Sequence, residues 1–253
     1  MPFYSIAVYR GKDGRHAGDA AYNLLMSPNR ETADRFYRFL QTYPDIYNNK
    51  YNFNKLESLS AQVWTFQSND QDDLRELVRH MCSRDFTISD ARFQSIVGSV
   101  VLHQFNSNTW FNNTYIPIVQ DVNLAAHLNN GEFFIRRKRY PSQFWYLDNK
   151  WIRVSDTERT KFRIELKEDG TQTLGTPLFI SSDQVRIIAV GSSSTTMIKS
   201  AKDGYVGKDG EISTFNFGAF NQGFGVRYNS GDKSDHITYT DSGRLLGEEW
   251  ELV

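Results

Sequence analysis

The sequence predicts a mainly β fold with flanking helices, an α+β chain, on three observations. Asp-Gly recurs at Asp13-Gly14, Asp169-Gly170, Asp203-Gly204 and Asp209-Gly210. Asp tolerates the left-handed region and Gly enters it freely, so this pair between alternating segments marks a tight hairpin turn and favours an antiparallel arrangement. Alternating apolar and polar residues flank several of these turns, as half-buried strands require. Only two stretches carry a clear helical period.

Along the chain, Tyr4, Ile6 and Val8 alternate with smaller or polar residues ahead of the first turn. Ser27-Pro28 supplies a helix cap and a first-turn proline for "NRETADRFYRFLQTY", which sets Phe36, Phe39 and Leu40 on one face. A second helix is expected from Asn69. Its early part holds Asp70, Asp72 and Asp73, and its later part Arg75, Arg79 and His80, an order that complements the helix dipole. Leu74, Leu77, Val78 and Met81 form its apolar stripe. "SDARFQSIVGSVVLHQF", from Ser89, reads equally as helix or strand, and "NSNTWFNNTYIP" reads as a long loop or insertion. "FWYLDNKWIRV" reads as two strands joined at Asp148-Asn149-Lys150. Phe162, Ile164 and Leu166 alternate against Arg163 and Glu165, and "VRIIAVG" from Val185 is β-branched enough for a central strand. The stretch from Ile212 is Gly- and aromatic-rich, with short strands. No repeat, low-complexity segment or domain boundary stands out, so residues 1–253 read as a single domain.

Composition narrows the function. With 39% hydrophobic and 23% charged residues, the chain can bury a core of ordinary size. The net charge of −1 lacks the cationic surplus of a protein that lives on phosphates, so no specific nucleic acid is expected as a partner. The same near-neutrality, with 14% aromatic residues, suits molecules that associate with their own kind. The single cysteine, Cys82, excludes an intramolecular disulfide and a cysteine-based zinc site and points to a reducing compartment. It is expected in the core, beside Met81. The first residues do not read as a signal peptide, and the longest apolar runs, such as "IVGSVVL", are too short to span a bilayer. Asn112-Asn113-Thr114 reads as a chance match to a glycosylation acceptor.

No catalytic signature emerges. His16, His80, His103, His127 and His236 are scattered, with no pair at metal-site spacing. No Gly-x-Ser-x-Gly elbow, phosphate loop or complete dinucleotide fingerprint occurs; Gly223-Phe224-Gly225 lacks the third glycine. Asp72-Asp73 and Glu248-Glu249 read as solvated faces. Neither an enzymatic role nor a required cofactor is expected. Two features remain. Arg136, Arg137, Lys138 and Arg139 form a basic run that could meet a phosphate or carboxylate, or simply guard a strand edge. The 13 tyrosines include Tyr37, Tyr43, Tyr47 and Tyr51 in and after the first helix, and Tyr140 and Tyr146 near the basic run. Tyrosine suits contact surfaces and cores alike.

The order of elements resembles the polyhedrins of cypoviruses, the cytoplasmic polyhedrosis viruses of insects. The resemblance rests on a first strand, Ser5 to Tyr9, closing on Asp13-Gly14, and on a helix built on Glu31-Thr32 and Arg35-Phe36. A Tyr- and Asn-rich tail from Tyr43 to Asn54 and the strand "AQVWTF" from Ala61 follow. Later come Lys161-Phe162-Arg163, Asp169-Gly170, Phe179, and Ile187-Ile188-Ala189-Val190 ending at Gly191. The resemblance implies a compact antiparallel β-sandwich with flanking helices, assembled as homotrimers. It implies crystals in the host cell cytoplasm, viral occlusion bodies that embed virus particles and dissolve at the alkaline pH of the insect midgut. Nucleotide bound in the crystal would then meet the four cations, and ionisation of the six named tyrosines would contribute to release. Family members can carry an N-terminal arm, whereas here the first strand is expected almost from Met1, so clamping would come from elsewhere, such as the segment between Ser89 and Glu132. The rival reading is a cytoplasmic, lectin-like carbohydrate-binding β module.

Overall fold

The computed structural model describes residues 2–11, 22–46, 50–83, 85–105, 126–167, 173–191, 195–240 and 249–253. The chain divides into two compact units. The first comprises Met1–Ala126 with Gly170–Leu178, and the second His127–Asp169 with Phe179–Val253. Sequence alone suggested no boundary, because the first unit is completed by a short segment that returns to it from the middle of the second.

The first unit contains β1 (Phe3–Tyr9), β2 (Tyr22–Ser27), α1 (Arg30–Thr42), β3 (Asp45–Ile46), β4 (Tyr51–Ser58), β5 (Val63–Ser68), α2 (Asp73–Met81), a 3-10 turn (Gln94–Ile96) and β6 (Val101–Phe105). Its sheet runs β3-β4-β5-β1-β2-β6. β1 pairs antiparallel with β2 but parallel with β5, Ile6 opposite Val63 and Tyr9 opposite Phe66. The sheet is therefore mixed, not purely antiparallel. Strand alternation places Ser5, Ala7 and Tyr9 on one face with Trp64 and Phe66, and the helices cover that face. Tyr37 of α1 meets Trp64 at 5.3 Å between ring centroids. Phe36, Phe39 and Leu40 are buried as their spacing predicts, as are Leu74, Leu77, Val78 and Met81 of α2. Each such side chain contributes roughly 1.5–3 kcal/mol through burial.

The structure departs from three local expectations. The α1 cap is Asn29, not Ser27-Pro28: Asn29 is extended, and its Oδ1 accepts from Thr32 N at 2.9 Å. α2 starts at Asp73 rather than Asn69, because the acidic residues close a turn first. Asp70 Oδ1 accepts from Asp72 N, and Asp73 Oδ2 accepts from Asp70 N. Cys82 is exposed, not in the core, since it lies just beyond the last turn of α2, past the apolar stripe that ends at Met81. The ambiguous stretch from Ser89 resolves into the 3-10 turn and β6, with Phe93, Ile96 and Val100 buried.

The second unit contains β7 (Glu132–Arg137), β8 (Phe144–Asp148), β9 (Trp151–Ser155), β10 (Lys161–Leu166), β11 (Gln184–Val190), β12 (Thr195–Met197), β13 (Lys199–Ser200), β14 (Val206–Gly207), β15 (Phe215–Asn216), α3 (Ala219–Gln222), β16 (Phe224–Asn229), β17 (Ser234–Tyr239) and β18 (Trp250–Leu252). These strands form one curled sheet of twelve, with the main path β12-β11-β10-β7-β8-β9-β14-β13 and antiparallel pairing throughout. The β8–β9 hairpin turns where expected, with Asn149 at φ +45°. β10 and β11 pair from Lys161↔Val190 to Leu166↔Val185, burying Phe162, Ile164, Val185 and Ile187 on one face. The Asp203-Gly204 turn links β13 to β14. Gly204 stands at φ +87°, where an L side chain is strained, and a Cβ there would lie 3.1 Å from Tyr239 O. The Asp13-Gly14 and Asp169-Gly170 turns and the "NSNTWFNNTYIP" segment lie outside the described residues.

The core of the second unit is aromatic. Trp145 is fully buried, with Phe162, Phe220, Phe224 and Trp250 between 5.0 and 6.0 Å from its ring centroid. Trp250 Nε1 donates to Phe224 O at 3.0 Å, so its indole is both packed and satisfied. Among the described residues, no helix is long and apolar enough to cross a membrane.

Candidate functional site

The basic run lies at the end of β7 and just beyond it, and strand pairing disperses its charges. β18 runs alongside with Glu251 opposite Arg136. Arg136 Nη2 lies 2.8 Å from Glu251 Oε1, and Lys138 Nζ 3.3 Å from Glu249 Oε2. Arg137 falls on the other side of the strand, donates to Gln143 Oε1 at 2.8 Å and stacks 4.7 Å from the Tyr140 ring. Arg139 is exposed, 5.6 Å from the same ring. The four cations thus do not converge on one anion-sized point. The sequence signal missed by a local reading is the alternation of Glu249 and Glu251 around Trp250, which supplies the counter-charges.

The tyrosines are equally dispersed. Tyr37 and Tyr51 are buried inside the first unit, so neither presents a contact surface. Burial, with the charge of Glu57, holds the Tyr37 phenol far above its ordinary range. Tyr43 is 38% exposed, and its hydroxyl donates to Asp90 Oδ2. Tyr140 is 44% exposed. Tyr146 is half-buried, and the negative charge of Glu158 is the main cause that raises its phenol. Tyr47 lies outside the described residues.

One Ser, His and Asp trio comes together where no motif announced it. Alternation along β17 and its preceding turn puts Asp232, Ser234 and His236 side by side. His236 is buried, with Nε2 2.7 Å from Asp232 Oδ2 and 3.0 Å from Ser234 Oγ. Both partners meet the same ring nitrogen. A catalytic relay needs the carboxylate on one nitrogen and the nucleophile on the other, and here Nδ1 is buried without a partner among the described residues. Arg153 of β9 bridges Asp232 at 3.0 Å and Asp148 at 2.9 Å. The arrangement ties the β16–β17 turn to β9 and does not activate Ser234. No group of three or more His, Cys, Asp or Glu among the described residues could hold a metal ion.

The sheet edges differ from the faces. β6 ends the first sheet, β12 ends the main path of the second, and β16 pairs with β17 alone among the described strands. Each carries an exposed apolar side chain: Val101 at 54%, Met197 at 39% and Tyr228 at 62%. An edge strand displays a row of main-chain donors and acceptors, and monomeric proteins blunt such edges with charge or proline. These three positions do the reverse.

Searches of family models, of curated proteins and of solved structures return no match to this chain.

Proposed function

We propose that this chain is a structural protein that assembles with copies of itself into an ordered solid, as the proteins it resembles do. The carrying observation is the apolar dressing of three strand edges: Val101 on β6, Met197 on β12 and Tyr228 on β16. A lattice needs several non-equivalent sticky contacts, whereas an enzyme needs one concave centre with converging chemistry. In this reading the curled sheet belongs to a compact β-sandwich, the soluble unit is a homotrimer, and the solid is a viral occlusion body in the host cell cytoplasm that embeds virus particles.

Alkaline release follows from the phenols. Burial raises Tyr37 and Tyr43, and the charge of Glu158 with partial burial raises Tyr146. A group raised in the folded state contributes stability that is full below its free value, about 10 for tyrosine, and is lost as pH climbs through the folded value. Ionisation of all 13 tyrosines would add thirteen negative charges to a molecule that starts at −1. Repulsion between copies then rises together with loss of internal packing.

The test is expression of the full chain in insect cells. Faceted intracellular crystals, stable at neutral pH and dissolving only above about pH 10, are expected. Freely dissolved monomer at high concentration in mild buffer, or a solubility step between about pH 5 and 7, overturns the reading.

A further inference from the structure

We propose that a cleft in the first unit binds a small acidic sugar, a hydroxylated ring bearing one carboxylate. The cleft has a volume of about 430 Å³ and is lined by Arg10, Asn54, Lys55, Glu57, Thr65 and Gln67, with Leu56, Phe66 and Leu174–Gly175 completing it. That volume falls at the lower end of the range of about 300–1,000 Å³ typical of small-molecule sites.

The sheet register builds the polar wall. Lys55 pairs with Gln67 and Glu57 with Thr65, so these four side chains share one face. Arg10 N donates to Phe66 O, which extends the β1–β5 ladder and brings Arg10 beside them. The pairing of β4 with β5 slips between Phe53 and Lys55, and such bulges re-aim side chains where a strand meets a ligand. The opposite rim is held firmly. Gln41 Nε2 donates to both Leu174 O and Thr176 O at 2.9 Å, and Leu174 N donates back to Gln41 O. Gly175 stands at φ +68°, and a Cβ there would lie 3.3 Å from Leu56 O, so a glycine lets the rim approach β4.

The charge of the wall selects the ligand. Arg10 Nη1 lies 3.2 Å from Glu57 Oε2, while Arg10 Nε has no acceptor among the described residues. Lys55 forms no ion pair among the described residues. One cation is therefore in surplus and one donor is unmet, and a carboxylate answers both with charge-assisted hydrogen bonds. Glu57 in the same wall disfavours a doubly charged phosphate ester. Asn54, Gln67, Glu57 and Thr65 offer donors and acceptors together, which suits sugar hydroxyls that also do both. Leu56 and Phe66 turn their side chains to the other face and contribute main chain here, so the apolar atoms that can meet the C–H face of a ring are those of Leu174 and the methylene stem of Lys55.

The test titrates the dilute full chain with glucuronate, glucose, acetate and glucose 6-phosphate, read by calorimetry and by amide chemical shifts. Single-site saturation by glucuronate is expected, at least tenfold tighter than by the other three. Lys55→Gln and Arg10→Gln should each weaken it at least tenfold, and Lys233→Gln, in the β16–β17 turn, should leave it unchanged. Lys55 is exposed, so its variant keeps the fold even if loss of the Arg10 pair disturbs β4. Absence of saturation by glucuronate, tighter binding of glucose 6-phosphate, or binding that Lys55→Gln leaves intact overturns the proposal.

Discussion

The Tyr43 hydroxyl donates to Asp90 Oδ2 at 3.0 Å, linking the C-cap of α1 to the turn that leads into the 3-10 helix. The two groups shift in opposite directions. Partial burial and this bond raise the phenol, while the Arg92 guanidinium is the main cause that lowers Asp90. Tyr43→Phe is expected to cost about 0.5–1 kcal/mol at pH 7, the lower part of the usual hydrogen-bond range because the site is partly exposed. Urea unfolding measures it. The difference from the parent should shrink as pH rises past the free phenol value of about 10.

Asp34 of α1 is a buried carboxyl, 3.2 Å from Arg30, in a wall shared with Ser5, Tyr37, Ser58 and Trp64. Burial pushes it up to about 7, against the charge of Arg30. The folded form therefore holds its proton more tightly than the unfolded chain. The stability this provides is full below about pH 4 and is lost as pH climbs through about 7. Asp34→Asn should flatten stability over that window, raising the thermal midpoint at pH 8 relative to the parent. A parent curve already flat between pH 4 and 7 would contradict it.

Trp145 sits at zero exposure among four rings, and its indole N–H has no acceptor among the described residues. Trp145→Ala should cost about 3–5 kcal/mol through the cavity it leaves. Trp145→Phe should cost distinctly less, because it retains ring contacts and removes an unmet donor. Denaturant unfolding of both variants separates the two contributions.

Edge-directed association predicts a selective failure. Val101→Lys, Met197→Glu and Tyr228→Gln together leave the formal net charge at −1. Each is a surface change expected to move folding stability by less than about 0.5 kcal/mol. Light scattering at pH 7 should nonetheless show assembly abolished. Undiminished assembly would place the contacts elsewhere.

Much of the fold was legible locally. The alternation from Lys161 to Leu166, the Asp148-Asn149-Lys150 turn and the Phe36, Phe39, Leu40 face of α1 all appear where period and turn chemistry put them. What escaped was non-local. The parallel β1–β5 pairing joins strands that are more than fifty residues apart, and no period within either announces it. Arg136 finds Glu251 across 115 residues, so a local reading sees a basic patch where the sheet makes an ion pair. His236 gains its partners because alternation and a turn align i−4 and i−2 on one side, which scattered histidines in a sequence do not reveal. Cys82 shows the limit at a helix end, where one residue decides between stripe and solvent.

That exposed thiol sets a ceiling on disulfide chemistry between copies. With one thiol per chain, oxidation to a disulfide can couple molecules two at a time and then has no further thiol to use. A reductant-sensitive band on a gel would thus stop at twice the chain mass, and any larger particle is held by something other than disulfides.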